Sequence, residues 1–439
     1  MVPTLGWIGI LRLGLVQTAL GAIVVMSTST LNRVMVIEYA LPATVPGLLV
    51  GLHYAVQVLR PRWGYGSDQG GRHTPWILAG IAVLAAGGFG AALSVVMLPF
   101  SLAGGLALAA VSYLLIGAGV GAAGTNLLVL LAKRVVPERR GPAATLVWVM
   151  MIIGFIVTTA IAGHNLDPFS PARLLVVTGI ISVLATLLAF AALAGIEGRA
   201  PAVPAAARER GAAEGAFFQT LREVWAEPQS RRFTIFVFVS MLAYSSQDLI
   251  LEPFAGIVFA LTPGQTTKLS SLQHGGVLAG MVMVALLVNP STGGRFGTLR
   301  GWTIAGCIAS AAALALLACG GLVGPTWPLR TTVFALGVAN GAYAVAAIGS
   351  MMGMMGEGGA NRGGTRMGLW GAAQAIAFGV GGLAGSTATD IARVLLGAAI
   401  PAYALVFMIE SVLFLVSAVL AAGLARATQP AHGKLVAAE

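Results

Sequence analysis

The chain has 439 residues, 57% of them apolar and only 9% charged, against about 45–50% and about 25% in an ordinary soluble domain. That excludes a water-soluble globule, whereas twelve membrane helices of about 20 apolar residues each fit the composition. Long stretches without charge, such as 77–100 and 303–323, exclude the alternating pattern of a transmembrane β-barrel, and the net charge of +10 reads as basic cytoplasmic loops rather than as a nucleic-acid surface.

Apolar runs predict spans near 12–31, 42–60, 75–99, 103–132, 143–163, 171–196, 233–252, 269–289, 302–323, 330–355, 367–389 and 401–424. The first has no small-residue cleavage pattern after it and reads as a helix, not a signal peptide. With both termini in the cytoplasm, 20 of the 25 basic residues fall inside, leaving Arg33, Arg173, Lys268, Arg330 and Arg393 outside, as the positive-inside rule requires. The expected units are a six-helix bundle over 1–196, a cytoplasmic linker over 197–232, a second six-helix bundle over 233–425, and a cytoplasmic tail over 426–439.

Span two carries His53. The loop after it reads Gly64-Tyr65-Gly66-Ser67-Asp68-Gln69-Gly70-Gly71-Arg72-His73. Its glycines permit a tight turn, and Asp68 and Arg72 are placed to cap a helix or pair across helices. Gly64, Asp68, Gly71 and Arg72 thus form a candidate gating motif, with a plain structural turn as the other reading. In span four, Gly117, Gly119, Gly121 and Gly124 make a small face where a helix, or a flat macrocycle, could approach closely. The fragment 119–124 also fits the dinucleotide-binding fingerprint, but no strand precedes it, so that reading is discarded.

The linker begins with a flexible Ala-, Pro-, Arg- and Glu-rich part. Phe217, Leu221 and Trp225 then recur at helical spacing and predict a short amphipathic helix that docks on membrane lipid or on a partner. In span seven Asp248 and Glu252 share one face, and Pro253 is expected to break the helix and free backbone carbonyls. Charges inside a membrane are costly. These acids, with Arg33 at the outer end of span one and Glu410 in span twelve, form a candidate polar cluster, either a structural pairing with Arg33 or a proton or ligand site. Cys307 and Cys319 share one span, about 18 Å apart, too far for a disulfide.

An internal repeat organises the chain. A shift of 221 superposes Pro42 and His53 on Pro263 and His274, and a shift of 222 superposes Arg140, Gly141, Trp148 and Gly163 on Arg362, Gly363, Trp370 and Gly385. A shift of 220 pairs Gly117 and Gly121 with Gly337 and Gly341. Duplicated six-helix bundles are expected when a transporter fold is built from repeats.

The Gly64–Arg72 loop resembles the major facilitator superfamily signature; the equivalent 289–295 keeps Gly-Gly-Arg without the acid. Narrower resemblances lie in Leu31-Asn32-Arg33-Val34-Met35, in Leu221-Arg222-Glu223-Val224-Trp225-Ala226-Glu227-Pro228, in Gln247-Asp248-Leu249-Ile250-Leu251-Glu252-Pro253-Phe254, and in the run from Arg366 through Trp370 to Gly379. These segments resemble the bacteriochlorophyll delivery (PucC/LhaA) family. That resemblance implies an all-α membrane protein with twelve helices in two pseudo-symmetric bundles, in the inner or intracytoplasmic membrane of a phototrophic bacterium. It implies a non-enzymatic assembly factor whose partners are light-harvesting antenna polypeptides and possible pigment-synthesis enzymes, and whose transiently bound cargo is bacteriochlorophyll. Under that reading, His53 and His274 are candidate magnesium ligands, with plain helix-to-helix hydrogen bonding as the alternative. The other function class is a proton-coupled transporter of a small hydrophobic solute, with Asp248, Glu252 and Glu410 carrying protons.

Overall fold

The computed structural model describes residues 5–60, 72–136, 139–197, 222–288, 297–356 and 363–424. The described residues are helical: α1 (Trp7–Val25), α2 (Leu31–Ile37), α3 (Thr44–Val56), α4 (Thr74–Met97), α5 (Leu102–Arg134), α6 (Arg140–Asn165) and α7 (Pro171–Leu193) in the first half. The second half contains α8 (Pro228–Phe259), α9 (Pro263–Leu287), α10 (Leu299–Val323), α11 (Leu329–Gly356), α12 (Gly363–Leu396) and α13 (Ala399–Leu424). A π-turn, Met26–Thr30, joins α1 to α2, so the first span runs unbroken from Trp7 to Ile37, longer than expected at both ends. Its Met-Ser-Thr-Ser-Thr sequence supplies hydroxyls that bond back to the preceding turn, as Ser27 and Thr28 do to Ile23 and Val24.

Ten helices among the described residues are long and apolar enough to cross a membrane. The other two expected spans correspond to α3, with 13 residues, and α12, with 34, neither of which is among the ten. Several outward side chains are apolar and open, Val394 at 83% and Val419 at 72%, a surface that requires lipid rather than water. Cys307 and Cys319 both lie on α10 and are free thiols.

Two large apolar cores form. One draws on residues from Ile10 to Ile196 together with Leu249, the other on residues from Phe233 to Ala421. Glycines set the helix approaches inside each half. A side chain at Gly80 would meet the Ala123 backbone at 2.7 Å and the Gly119 carbonyl at 2.9 Å, so α4 and α5 touch through backbone. The glycine face expected in span four receives helices at Gly117 and Gly119, and α12 approaches α8 through glycines in the same way. Gly117 abuts the His53 carbonyl of α3, Gly381 abuts Leu242 of α8 and Gly385 abuts Ser246, whereas Gly124 faces open space.

The halves meet along three seams: the π-turn and α2 against α8 and α9, α3 against α12, and α6 against α9. Each runs from the face bearing the 38–44 and 260–263 connections toward the membrane interior.

Candidate functional site

The first seam is built on α8. Proline lacks an N–H, so Pro253 cannot donate to the carbonyl of Leu249 four residues back, and an exposed carbonyl in hydrocarbon is costly. The helix nevertheless continues to Phe259 rather than breaking at Pro253 as expected. Asn32, 1% exposed on α2 of the other half, donates its Nδ2 to the Leu249 carbonyl at 2.5 Å. The freed carbonyl foreseen at this proline is real, and the opposite half satisfies it.

One residue earlier, buried Glu252 accepts hydrogen bonds from Ser29 of the π-turn and from Ser270 of α9, at 2.5 Å for the latter, while its Oε2 meets no hydrogen-bond partner among the described residues. Ser29 and Ser270 lie 3.0 Å apart, and Thr30 pairs with Thr267 at 3.1 Å. Hydroxyls therefore stitch the first half to the second around one carboxyl group.

The expected pairing of Arg33 with Asp248 and Glu252 is not what forms. Arg33 makes its ion pair with Glu38, five residues along its own chain, and donates Nη2 to the Leu261 carbonyl at 2.8 Å. Asp248 accepts instead from Gln273 Nε2 at 3.2 Å, and Glu410 accepts from Ser246. In place of one ion-paired cluster, these residues make four local contacts, three of them on α8. A double-mutant cycle should show this directly. Arg33→Ala and Glu38→Ala should couple, by about 0.5–1 kcal/mol for a pair whose acid is partly open, whereas Arg33→Ala and Asp248→Ala should add, read from thermal unfolding of the solubilised protein.

His53 and His274 are not equivalent, as the shift of 221 suggested. Helix packing pairs His53 with Gln273, since Gly117 abuts the His53 carbonyl where Gly337 abuts that of Gln273. One residue of offset turns a helical side chain by about 100°. His53 is sealed, 2% exposed, and its Nε2 lies 3.0 Å from Gln57 Nε2. Arg60 donates to Gln57 Oε1, which points the Gln57 amide N–H at the imidazole, so Nε2 accepts and the proton sits on Nδ1. His274, at the α6–α9 seam, donates from Nδ1 to the Ser270 carbonyl at 2.8 Å and meets the Phe155 ring edge-on at 4.9 Å.

Two acids not singled out from the sequence tie the halves together at one face. Asp390, near the end of α12, accepts from the Ala43 and Thr44 N–H groups at 3.0 and 2.7 Å and from the Thr44 hydroxyl at 2.7 Å. The α3 N-terminus has no side-chain cap of its own, so Asp390 supplies one from the other half. Asp167, just past α6, accepts from the Thr262 hydroxyl at 2.8 Å and the Gly264 N–H at 3.2 Å at the start of α9. A recess of about 640 Å³ lined by Arg33, Glu38, Asp167, Leu261 and Pro263 opens beside it.

At the opposite face Glu197 plays the same part within one half, accepting the His73 and Thr74 N–H groups at 2.6 and 2.7 Å at the start of α4. Partial burial raises its carboxyl, but hydrogen bonds from His73 and Thr74, aided by the His73 charge, outweigh that and hold it below the ordinary glutamate value of 4.5. Its stabilising effect is therefore complete above that value and is lost as the pH falls through the lower folded-state value. Unfolding midpoints of wild type should accordingly drop on acidification below about pH 4.5, and Glu197→Gln should flatten that part of the profile.

Of the gating motif, Gly64, Asp68 and Gly71 lie outside the described residues, and Arg72 is exposed. Phe217 and Leu221 also lie outside them. Residues 222–226 are helical, with Val224 buried and Trp225 43% exposed. No group of His, Cys, Asp and Glu among the described residues is arranged to hold a metal ion.

Comparison with known proteins places these features. The chain is 51% identical, over 97% of its own length and 97% of the relative's, to the "Bacteriochlorophyll synthase 44.5 kDa chain" of Rhodobacter capsulatus. It is 30% identical to "Protein PucC" of Rhodovulum sulfidophilum, covering 88% of this chain and 86% of that one. Among solved structures, a peptide transporter POT superposes with a TM-score of 0.71 over 97% of both chains, and a bacterial homologue of the lysosomal transporter Spinster, inward-facing and occupied, with 0.69 over 95% and 96%. Both are 14% identical and show the fold alone, that of the major facilitator transporters. Residues 30–429 match the family described as PUCC protein, and the chain belongs to that family.

Proposed function

We propose that the chain is a membrane assembly factor that delivers bacteriochlorophyll to light-harvesting antenna apoproteins in the photosynthetic membrane, and that it is not itself a synthase. The observation that carries this reading is the match to a bacteriochlorophyll-named relative along 97% of both chains. An all-helical, lipid-facing body suits a cargo that never enters water. The acids of α8 accept hydrogen bonds from Ser29, Ser270 and Gln273, an arrangement of positioned neutral donors rather than an open carboxylate cluster for diphosphate and magnesium.

Loss of the gene separates delivery from synthesis. Deletion should remove the antenna absorption bands while extractable bacteriochlorophyll persists. Disappearance of the pigment itself would instead mark a synthase subunit.

A second reading has its own observation. Glu252 is held by hydroxyls of both halves, with one oxygen unpartnered among the described residues, which suits a proton site in a coupled transporter. Uptake of a hydrophobic solute driven by a pH gradient, with no pigment bound, would favour it.

A further inference from the structure

We propose that His274 is the axial ligand by which the chain holds a magnesium chlorin, and that the macrocycle lies against the open side of α9 beside Gly275. This rests on the delivery reading and names the site within it.

The argument begins with the imidazole. His274 is 91% buried, being 9% exposed. Its Nδ1–H donates to the Ser270 carbonyl, which can only accept. In the neutral ring the lone pair is then on Nε2, and Nε2 has no hydrogen-bond partner among the described residues. Metal-ligating histidines are held in this way, the second ring nitrogen donating to a carbonyl that fixes tautomer and ring plane. A magnesium ion whose four in-plane positions are filled by a macrocycle needs one more donor on its axis, and a neutral imidazole nitrogen in apolar surroundings supplies it.

The surroundings provide room and rigidity. Ser271 donates to the Ile156 carbonyl at 3.0 Å, fixing α9 against α6 one turn from the ligand. Phe155 packs edge-on to the ring, and Ile152, Val277 and Met281 form a small apolar cluster below it, separate from the two main cores. Gly275 follows His274 directly, about 100° round α9, and a Cβ built there meets no atom within 4 Å. The seam therefore joins a fixed nitrogen donor, an apolar wall and open space. His53 offers none of these: its Nε2 is taken by Gln57, its Nδ1 is buried without a partner among the described residues, and α5 closes on its backbone at Gly117.

The test uses the full-length chain, purified without pigment from a non-phototrophic host in nanodiscs and titrated with bacteriochlorophyll a. Absorption reads occupancy, and resonance Raman reads the coordination state of magnesium. Wild type and His53→Leu should bind with five-coordinate magnesium, while His274→Leu should weaken binding about tenfold or more. Gly275→Trp should weaken it as much with the imidazole intact, placing its ring from a Cβ position that meets no atom within 4 Å. If His274→Leu fails to fold, His274→Gly with added imidazole decides, because free imidazole should restore binding. Unchanged affinity in folded His274→Leu or Gly275→Trp would overturn this site while leaving delivery standing, as would an equal loss in folded His53→Leu. A wild type that takes up no pigment would overturn both.

Discussion

Replacing Asn32 with leucine is expected to lower the folded yield several-fold and the unfolding midpoint markedly, although the new side chain is apolar and similar in size. The Leu249 carbonyl would be left unpaired in the membrane interior, since Pro253 cannot donate to it and Asn32 is its partner. An orphaned buried acceptor costs about 1–3 kcal/mol. The carbonyl needs only some donor, so Pro253→Ala, which restores an N–H in helical register, should rescue the loss. The double variant should therefore be less impaired than Asn32→Leu alone, compared by size-exclusion profile and thermal unfolding. A double variant no better than the single would show that the bond across the halves is incidental.

Removing the two caps that join the halves should open the face they close. Asp390 supplies the α3 N-terminus and Asp167 the α9 N-terminus, each from the opposite half. Asparagine keeps one acceptor oxygen and loses the charge that suits a helix N-terminus, a change of about 1 kcal/mol at each site. Single variants should shift the open population about fivefold and the double variant about thirtyfold, since free energies at separate sites add. The readout is alkylation by a membrane-impermeant maleimide at Thr266→Cys, a fully buried position, in a chain with Cys307 and Cys319 replaced by alanine. Equal alkylation in wild type and the double variant would contradict the role of these caps.

Much of this was legible in the sequence, and the failures have physical causes. Helix positions follow from apolar runs bounded by charge, and the repeat shift foreshadowed the matched packing of Gly117 on α3 and Gly337 on α9. The shift of 221 instead misplaced His53 against His274, because a match of letters fixes neither helix rotation nor depth. One residue of offset separates Gln273, the packing equivalent of His53, from His274, and five residues along the chain put Glu38 in reach of Arg33. The break expected at Pro253 failed because the donor that rescues its carbonyl comes from 217 residues away. Asp167 and Asp390 did carry a signal: they lie 223 residues apart, close to the repeat shift, and the α3 N-terminus that Asp390 caps has no local cap. Glu197 could have been found likewise, as the acid closing span six opposite an uncapped α4.

Delivery is tested most directly by pigment transfer between purified components. The full-length chain is loaded with bacteriochlorophyll a, freed of excess pigment, and mixed with antenna apoproteins in lipid. Delivery predicts that the absorption of the loaded chain decays as the red-shifted antenna band grows, at a rate set by the chain's concentration. A chain that takes up no pigment, or antenna that assembles equally fast from free pigment without it, would contradict it.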